Sequence, residues 1–106
     1  NVMYKGWSGM KANEYKDYKG LHKESLRDNM SEIEVVLTDL SEITTKNLAK
    51  KTKPKGLKEN IEVAQKGSIT SKKARETYES ILNESAITSD NHINGRHINN
   101  NLIDKK

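Results

Sequence analysis

The stretch Met30-Ser31-Glu32-Ile33-Glu34-Val35-Val36-Leu37-Thr38-Asp39-Leu40-Ser41-Glu42-Ile43 decides the fold. Ser31 followed three residues later by Glu34 fits a capping box, in which each side chain satisfies the other residue's free backbone N–H. Met30 before the cap and Val35 one turn in form the hydrophobic-staple pair. Beyond the cap, Ile33, Val36, Leu37, Leu40, Ile43 and, less closely, Leu48 recur at the spacing of one helical face. Glu32 and Glu34 stand in the first turn, and Lys46, Lys50 and Lys51 stand near the end, so both suit the helix macrodipole. Pro54 stops the pattern and pushes Lys53 out of the right-handed helical region. The pattern predicts a helix over 31–51.

Working outward, Leu57, Ile61 and Ala64 predict a shorter helix over 57–66, closed by Gly67. Ala74, Tyr78, Ile81 and Leu82 predict another over 70–84, with Ser68, Thr70 or Ser71 as its cap. Upstream, 11–19 reads as a short helix closed by Gly20, and 22–27 as a further turn broken at Asp28-Asn29. No alternating run carries the β-branched and aromatic enrichment of a strand. The expected fold is therefore all-α: a compact bundle of four to five helices around a long central one, spanning 1–90. The Asn-rich end, 91–106, is expected either as a tail or as a short docked helix, with Ile93, Ile98, Leu102 and Ile103 as its apolar anchors.

Composition narrows the function. Leu, Ile and Val number 21 among 106 residues and Phe is absent, so the core must be thin and would gain from an outside partner. Absence of cysteine removes disulfide frameworks, thiolate metal sites and thiol nucleophiles. No run approaches a membrane span, and no charged-then-apolar leader is present, so a cytoplasmic chain without a membrane partner is expected. An opening of Asn1-Val2-Met3 reads as an excised part of a longer protein.

The order of short motifs carries a family resemblance. Lys19-Gly20-Leu21, Leu26-Arg27-Asp28-Asn29-Met30 and an apolar helix ending Glu42-Ile43-Thr44-Thr45 are followed by Pro54-Lys55-Gly56-Leu57-Lys58-Glu59-Asn60. Val63-Ala64-Gln65-Lys66-Gly67, Lys73-Ala74-Arg75 and Ile87-Thr88-Ser89-Asp90-Asn91 come next. Over roughly 15–91 this resembles the C-terminal part of the DNA-damage-inducible protein D family, which overlaps phage antirepressor-like proteins with a BRO-type N-terminal domain. No BRO-type domain lies within these 106 residues, and the Asn-rich end departs from the family pattern. The resemblance implies a damage- or prophage-linked accessory protein whose partner is DNA, a DNA-bound recombinase or a repressor. It carries no enzymatic activity over to these residues.

Charge is segregated along the chain. Residues 31–45 hold Glu32, Glu34, Asp39 and Glu42 with no base, whereas 46–58 hold Lys46, Lys50, Lys51, Lys53, Lys55 and Lys58 with no acid. Such a block is the electrostatic footprint that phosphate binding uses. The alternative is a solvated helix end whose lysines neutralise orphan carbonyls. Lys72, Lys73 and Arg75 are expected as secondary nucleic-acid contacts. Helices meeting near Gly67, the second opening Ser68-Ile69-Thr70-Ser71, also outline a helix-turn-helix, with Arg75 placed to read guanine. Its spacing is one residue short, and the alternative is an ordinary αα-hairpin.

Tyr4, Trp7, Tyr15 and Tyr18 interleave with Lys5, Lys11, Lys16 and Lys19. This is either a stacking platform for single strands or ordinary half-buried packing. Arg27 is expected to pair with Asp28, Glu24 or a partner carboxylate, and Asp28 to cap or to form an Asx turn ahead of the long helix. His22, His92 and His97 lack metal-ligand spacing, and no nucleophile, base and orienting acid can be assembled by position. No cofactor is expected, and the chain reads as non-enzymatic. Two functions remain open: a module contacting DNA or a DNA-bound complex, or a protein-interaction or dimerisation module of the antirepressor kind. A homodimer through exposed apolar positions fits either.

Overall fold

In a computed structural model, which describes residues 2–93, Ser31 and Glu34 close the capping box that opens the long helix. The Glu34 N–H donates to Ser31 Oγ at 3.4 Å, and the Ser31 N–H donates to Glu34 Oε1 at 2.8 Å. The helix that follows, and its neighbours, make up an all-helical fold among the described residues. The helices are α1 (Val2–Ser8), α2 (Ala12–Tyr18), α3 (Glu32–Thr52) and α4 (Gly56–Leu82), with one 3-10 turn at Arg27–Asn29. Helix α2 lies inside the expected 11–19, and Gly20 takes the left-handed conformation (φ 73°) that ends it. The turn expected over 22–27 falls later, at Arg27–Asn29, where the Asn29 N–H reaches the Leu26 carbonyl.

Helices α3 and α4 are joined only by residues 53–55, so they run antiparallel. Lys53 does leave the right-handed region, but into the left-handed one (φ 49°), and its N–H closes α3 on the Ala49 carbonyl. Two helices were expected downstream; α4 is a single one. The break at Gly67 does not exist, Ser68, Thr70 and Ser71 are not caps, and the helix-turn-helix falls with them. The reason is local. Ser68 and Thr70 return their hydroxyls to the Gln65 and Gly67 carbonyls within the helix, at 2.7 and 2.9 Å. Gly67 serves close approach instead of a left-handed turn. A Cβ built on it would lie 2.0 Å from Thr45 Oγ1 and 2.8 Å from Thr45 Cα.

The α3–α4 contact is lined with hydroxyls. Ser41 donates to Ser71 at 3.0 Å, Ser71 donates to the Leu37 carbonyl at 2.5 Å, and Thr44 and Thr70 meet at 3.0 Å. Short side chains let the backbones come close, and each bond adds on the order of 1 kcal/mol. This corrects the expected inner stripe. The residues α3 buries are Glu34, Leu37, Thr38 and Ser41, while Val36 and Ile43 stay 52% and 51% exposed.

Helix α1 had no counterpart in the sequence reading. It packs on α4 and, less extensively, on α3, with Gly6 against Ser68. Trp7, Tyr15, Leu21, Leu26, Met30, Leu37, Ala86 and Ile87 form the core, with Tyr4 and Trp7 edge-on to Tyr15. The aromatic cluster is thus interior packing, except for the half-exposed Tyr18. Residues 85–91 return over this core: Asn91 donates to the Lys19 carbonyl at 2.6 Å, and the His92 N–H donates to Asn29 Oδ1 at 2.9 Å. The expectation for the Asn-rich end falls, from 94 onward, outside the described residues. The main core cluster sits at one end, and the α3–α4 hairpin, with Val63 buried in it, projects beyond.

Candidate nucleic-acid interface

The hairpin tip gathers the lysine block. Lys46, Lys50 and Lys51 come from the last turns of α3, Lys53 and Lys55 from the link, and Lys58 from the first turn of α4. The link turns sharply because Lys53 and Gly56 both adopt positive φ (49° and 77°) on either side of Pro54 and Lys55. The Lys55 N–H is held by Glu59 Oε1 at 2.7 Å, and Asn60 Nδ2 holds the Gly56 carbonyl at 2.7 Å. All six lysines are exposed, and none forms an ion pair among the described residues. The N-terminus of α4 points its partial positive charge into the same region. Opposing charge at the tip comes from Glu59 and Glu62, which line a small cleft of about 190 Å³ with Leu48, Pro54 and Lys66.

The remaining sequence-selected residues do not join this tip. Lys72 and Lys73 stand about 20 Å further along α4 at 1.5 Å per residue, and about 100° apart around it. Lys72 borders α1 in a shallow cleft with Lys5 and Trp7. Arg75 turns inward. Its Nη1 donates to the Trp7 and Ser8 carbonyls at 3.3 and 3.0 Å, capping α1, and its Nε donates to Glu79 at 2.8 Å. Glu79 also accepts the Ala86 N–H at 2.9 Å, so it ties α4 to the returning segment. Partial burial works against the Glu79 carboxylate, but Arg75 and the Ala86 N–H outweigh it and hold its pKa below the usual value.

Arg27 pairs with Asp39, closely, and with Glu42 at 3.8 Å, not with Asp28 or Glu24. Of the two roles expected for Asp28, the cap of α3 belongs to Ser31, and Asp28 lies in the 3-10 turn Arg27–Asn29 ahead of it. This exposed pair draws Asp39 away from the free acidic surface of α3.

A buried polar network is the feature that sequence reasoning missed. Glu34 and Lys19 have side chains with no solvent exposure and meet at 2.9 Å. Lys19 Nζ also donates to the Thr88 and Asp90 carbonyls at 2.6 and 2.9 Å, which engages all three of its N–H donors. Glu34 accepts further from the Tyr15 hydroxyl, the Ser31 N–H and, at 3.4 Å, the Thr88 N–H. Burial, then the Glu34 charge and hydrogen bond, push the Tyr15 phenol far above its normal range, so it stays neutral. The network locks α2, α3 and residues 88–90 together, and it is closed to any substrate. The signal for it was present: Lys19 sits just before Gly20, and Glu34 already had a capping role. Neither position says that the two side chains meet.

On the side of the hairpin away from α1, an open groove of about 840 Å³ is lined by Tyr18, Ile33, Val36, Tyr78, Glu84 and Ile87 among others. Among the described residues there is no group of three or more His, Asp or Glu placed to hold a metal ion. No helix there is long and apolar enough to cross a membrane. His22 and His92 are exposed, and His97 lies outside the described residues. No family model, curated protein or solved structure matches this chain.

Proposed function

We propose that this chain is a non-enzymatic contact module that docks onto DNA, or onto a DNA-bound protein complex, through the lysine tip of the α3–α4 hairpin. The observation that carries this reading is the convergence of Lys46, Lys50, Lys51, Lys53, Lys55 and Lys58 on one exposed tip, without internal carboxylate partners among the described residues. A cluster of unpaired cations displaces counterions from a phosphate backbone and gives sequence-independent attraction. Lys72 and Lys73 act as outlying contacts at most, and Arg75 serves the fold. With the resemblance to the DNA-damage-inducible protein D family, the reading is a damage- or prophage-linked accessory role in the cytoplasm.

The test is a mobility shift with duplex and single-stranded DNA, comparing the wild type with the Lys53→Glu/Lys55→Glu/Lys58→Glu triple variant. Binding that is abolished by the triple variant, with unchanged circular dichroism, supports the reading. Equal binding by both proteins overturns it. A second reading, a protein-interaction module of the antirepressor kind, is favoured by the exposed Val36, Ile43 and Ile81 beside the open groove.

A further inference from the structure

One apolar side chain stands in the lysine tip without a place in the packing. Leu57 is 77% exposed, the highest value of any large apolar residue among the described residues. Grouped with Ile61 and Ala64 by spacing, it lies instead about 120° round α4 from the buried Val63. The cleft behind the link is lined by Leu48, Pro54 and Val63, and not by Leu57. Leu57 is the second residue of α4. Side chains on a helix slant toward its N-terminus, so one at this position projects off the end of the hairpin.

Its surroundings are cationic and stiff. Lys53, Lys55 and Lys58 lie within four residues of it, and all three are exposed. Positive φ at Lys53 and Gly56 sets the link, while Glu59 and Asn60 hold the Lys55 N–H and the Gly56 carbonyl. Leu57 stands about 25 Å along α4 from Ala74, which packs on the main core. The body of the molecule therefore stays clear of whatever the tip touches. A minor groove about 6 Å wide excludes two helices about 20 Å across, but it admits a single side chain at their apex.

We propose that Leu57 is a wedge that enters the minor groove of duplex DNA and parts a base step, while the lysines around it hold the flanking phosphates. The proposal rests on the nucleic-acid reading of the tip and names its substrate, a duplex that is already easy to unstack, such as one with a mismatch. Aliphatic side chains act in this way where unstacking is offset by closer contact with the bent duplex. Unstacking costs least at a mismatched base. Single strands are held by stacking on aromatic rings, and residues 46–60 contain none. A membrane surface calls for a broad apolar face, whereas here one leucine is set among lysines.

Anisotropy and emission of duplexes carrying a fluorescent adenine analogue, fully paired or beside a mismatch, test it. The wild type is expected to raise the emission as the analogue unstacks and to prefer the mismatched duplex about tenfold. Leu57→Ala, with unchanged circular dichroism, is expected to bind the paired duplex within about twofold of the wild type and with the same salt slope. It is expected to lose the emission rise and the preference, and Leu57→Met to keep both. Salt-dependent duplex binding without an emission rise, or a rise that Leu57→Ala retains, overturns the wedge and leaves the lysine contact standing. No duplex binding at all overturns both. Leu57-dependent cosedimentation with phosphatidylserine/phosphatidylcholine vesicles, without an emission rise on DNA, overturns the wedge and assigns the tip to an anionic membrane.

Discussion

Gly67→Ala tests the helix packing most sharply, because two effects of known size oppose each other there. In an open helix, replacing glycine by alanine stabilises by about 1 kcal/mol. Here the new Cβ would sit 2.0 Å from Thr45 Oγ1, 2.9 Å from Thr45 Cβ and 2.8 Å from Thr45 Cα. A hydroxyl can rotate away, but the backbone cannot, and non-bonded carbon atoms settle at about 3.5–4.0 Å. The helices must part by about 1 Å, which stretches the Ser41–Ser71 and Thr44–Thr70 hydroxyl pairs from 3.0 Å towards breaking. Overpacking costs about 1–3 kcal/mol and each lost bond about 1 kcal/mol. After the propensity gain is subtracted, a net destabilisation of about 2 kcal/mol remains, or about 10 °C in midpoint for a domain of this size. Thermal denaturation followed by far-ultraviolet circular dichroism reads it. Adding Thr45→Ala should recover only part, since the clash with the residue 45 backbone persists. A raised midpoint for Gly67→Ala would refute the close approach and the hydroxyl-lined interface with it.

Other outcomes follow from the same structure. Lys19→Met should destabilise by about 3–5 kcal/mol in urea titration, because it strands the buried Glu34 carboxylate. Adding Glu34→Gln should cost less than the sum of the two single changes, and strict additivity would contradict a coupled pair. The Glu79 carboxylate has its folded pKa lowered below the unfolded value. Its stabilisation is therefore full above about pH 4.3 and lost as pH falls through the folded pKa. Glu79→Gln should flatten that part of the acid limb of a stability–pH curve, and an unchanged limb would contradict the tie to Arg75 and Ala86. The Tyr15 phenol is shifted upward, so its contribution holds below about pH 10 and is lost as pH rises beyond it. Tyr15→Phe should accordingly soften alkaline unfolding, measured by fluorescence of the single tryptophan.

What could be read from the chain was what local chemistry decides. The Ser31–Glu34 box and the Gly20 stop involve groups a few residues apart, and both stand where they were expected. The orientation of α3 was not legible, because hydropathy ranks Val36 and Ile43 above Ser41 and Thr38. The inward face is instead set by hydroxyls whose partners lie on α4, some 26 to 34 positions away. Gly67 illustrates the same limit: glycine near Ser and Thr reads as a helix end until Thr45 is seen against it. Arg75 was singled out for its charge, yet its partners are carbonyls of α1, a helix that short-range pattern did not reveal. The tip differs because its lysines are contiguous in sequence, and a three-residue link between two long helices can only bring them together.

The salt dependence of DNA binding tests the central claim most directly. Fluorescence anisotropy of a labelled duplex, titrated with the chain over a series of salt concentrations, yields the slope of log K against log salt. Contact through all six tip lysines predicts a slope of about −5, and the Lys53→Glu/Lys55→Glu/Lys58→Glu variant predicts no more than about half of that. A flat slope, or one the triple variant leaves unchanged, would contradict a phosphate-binding tip.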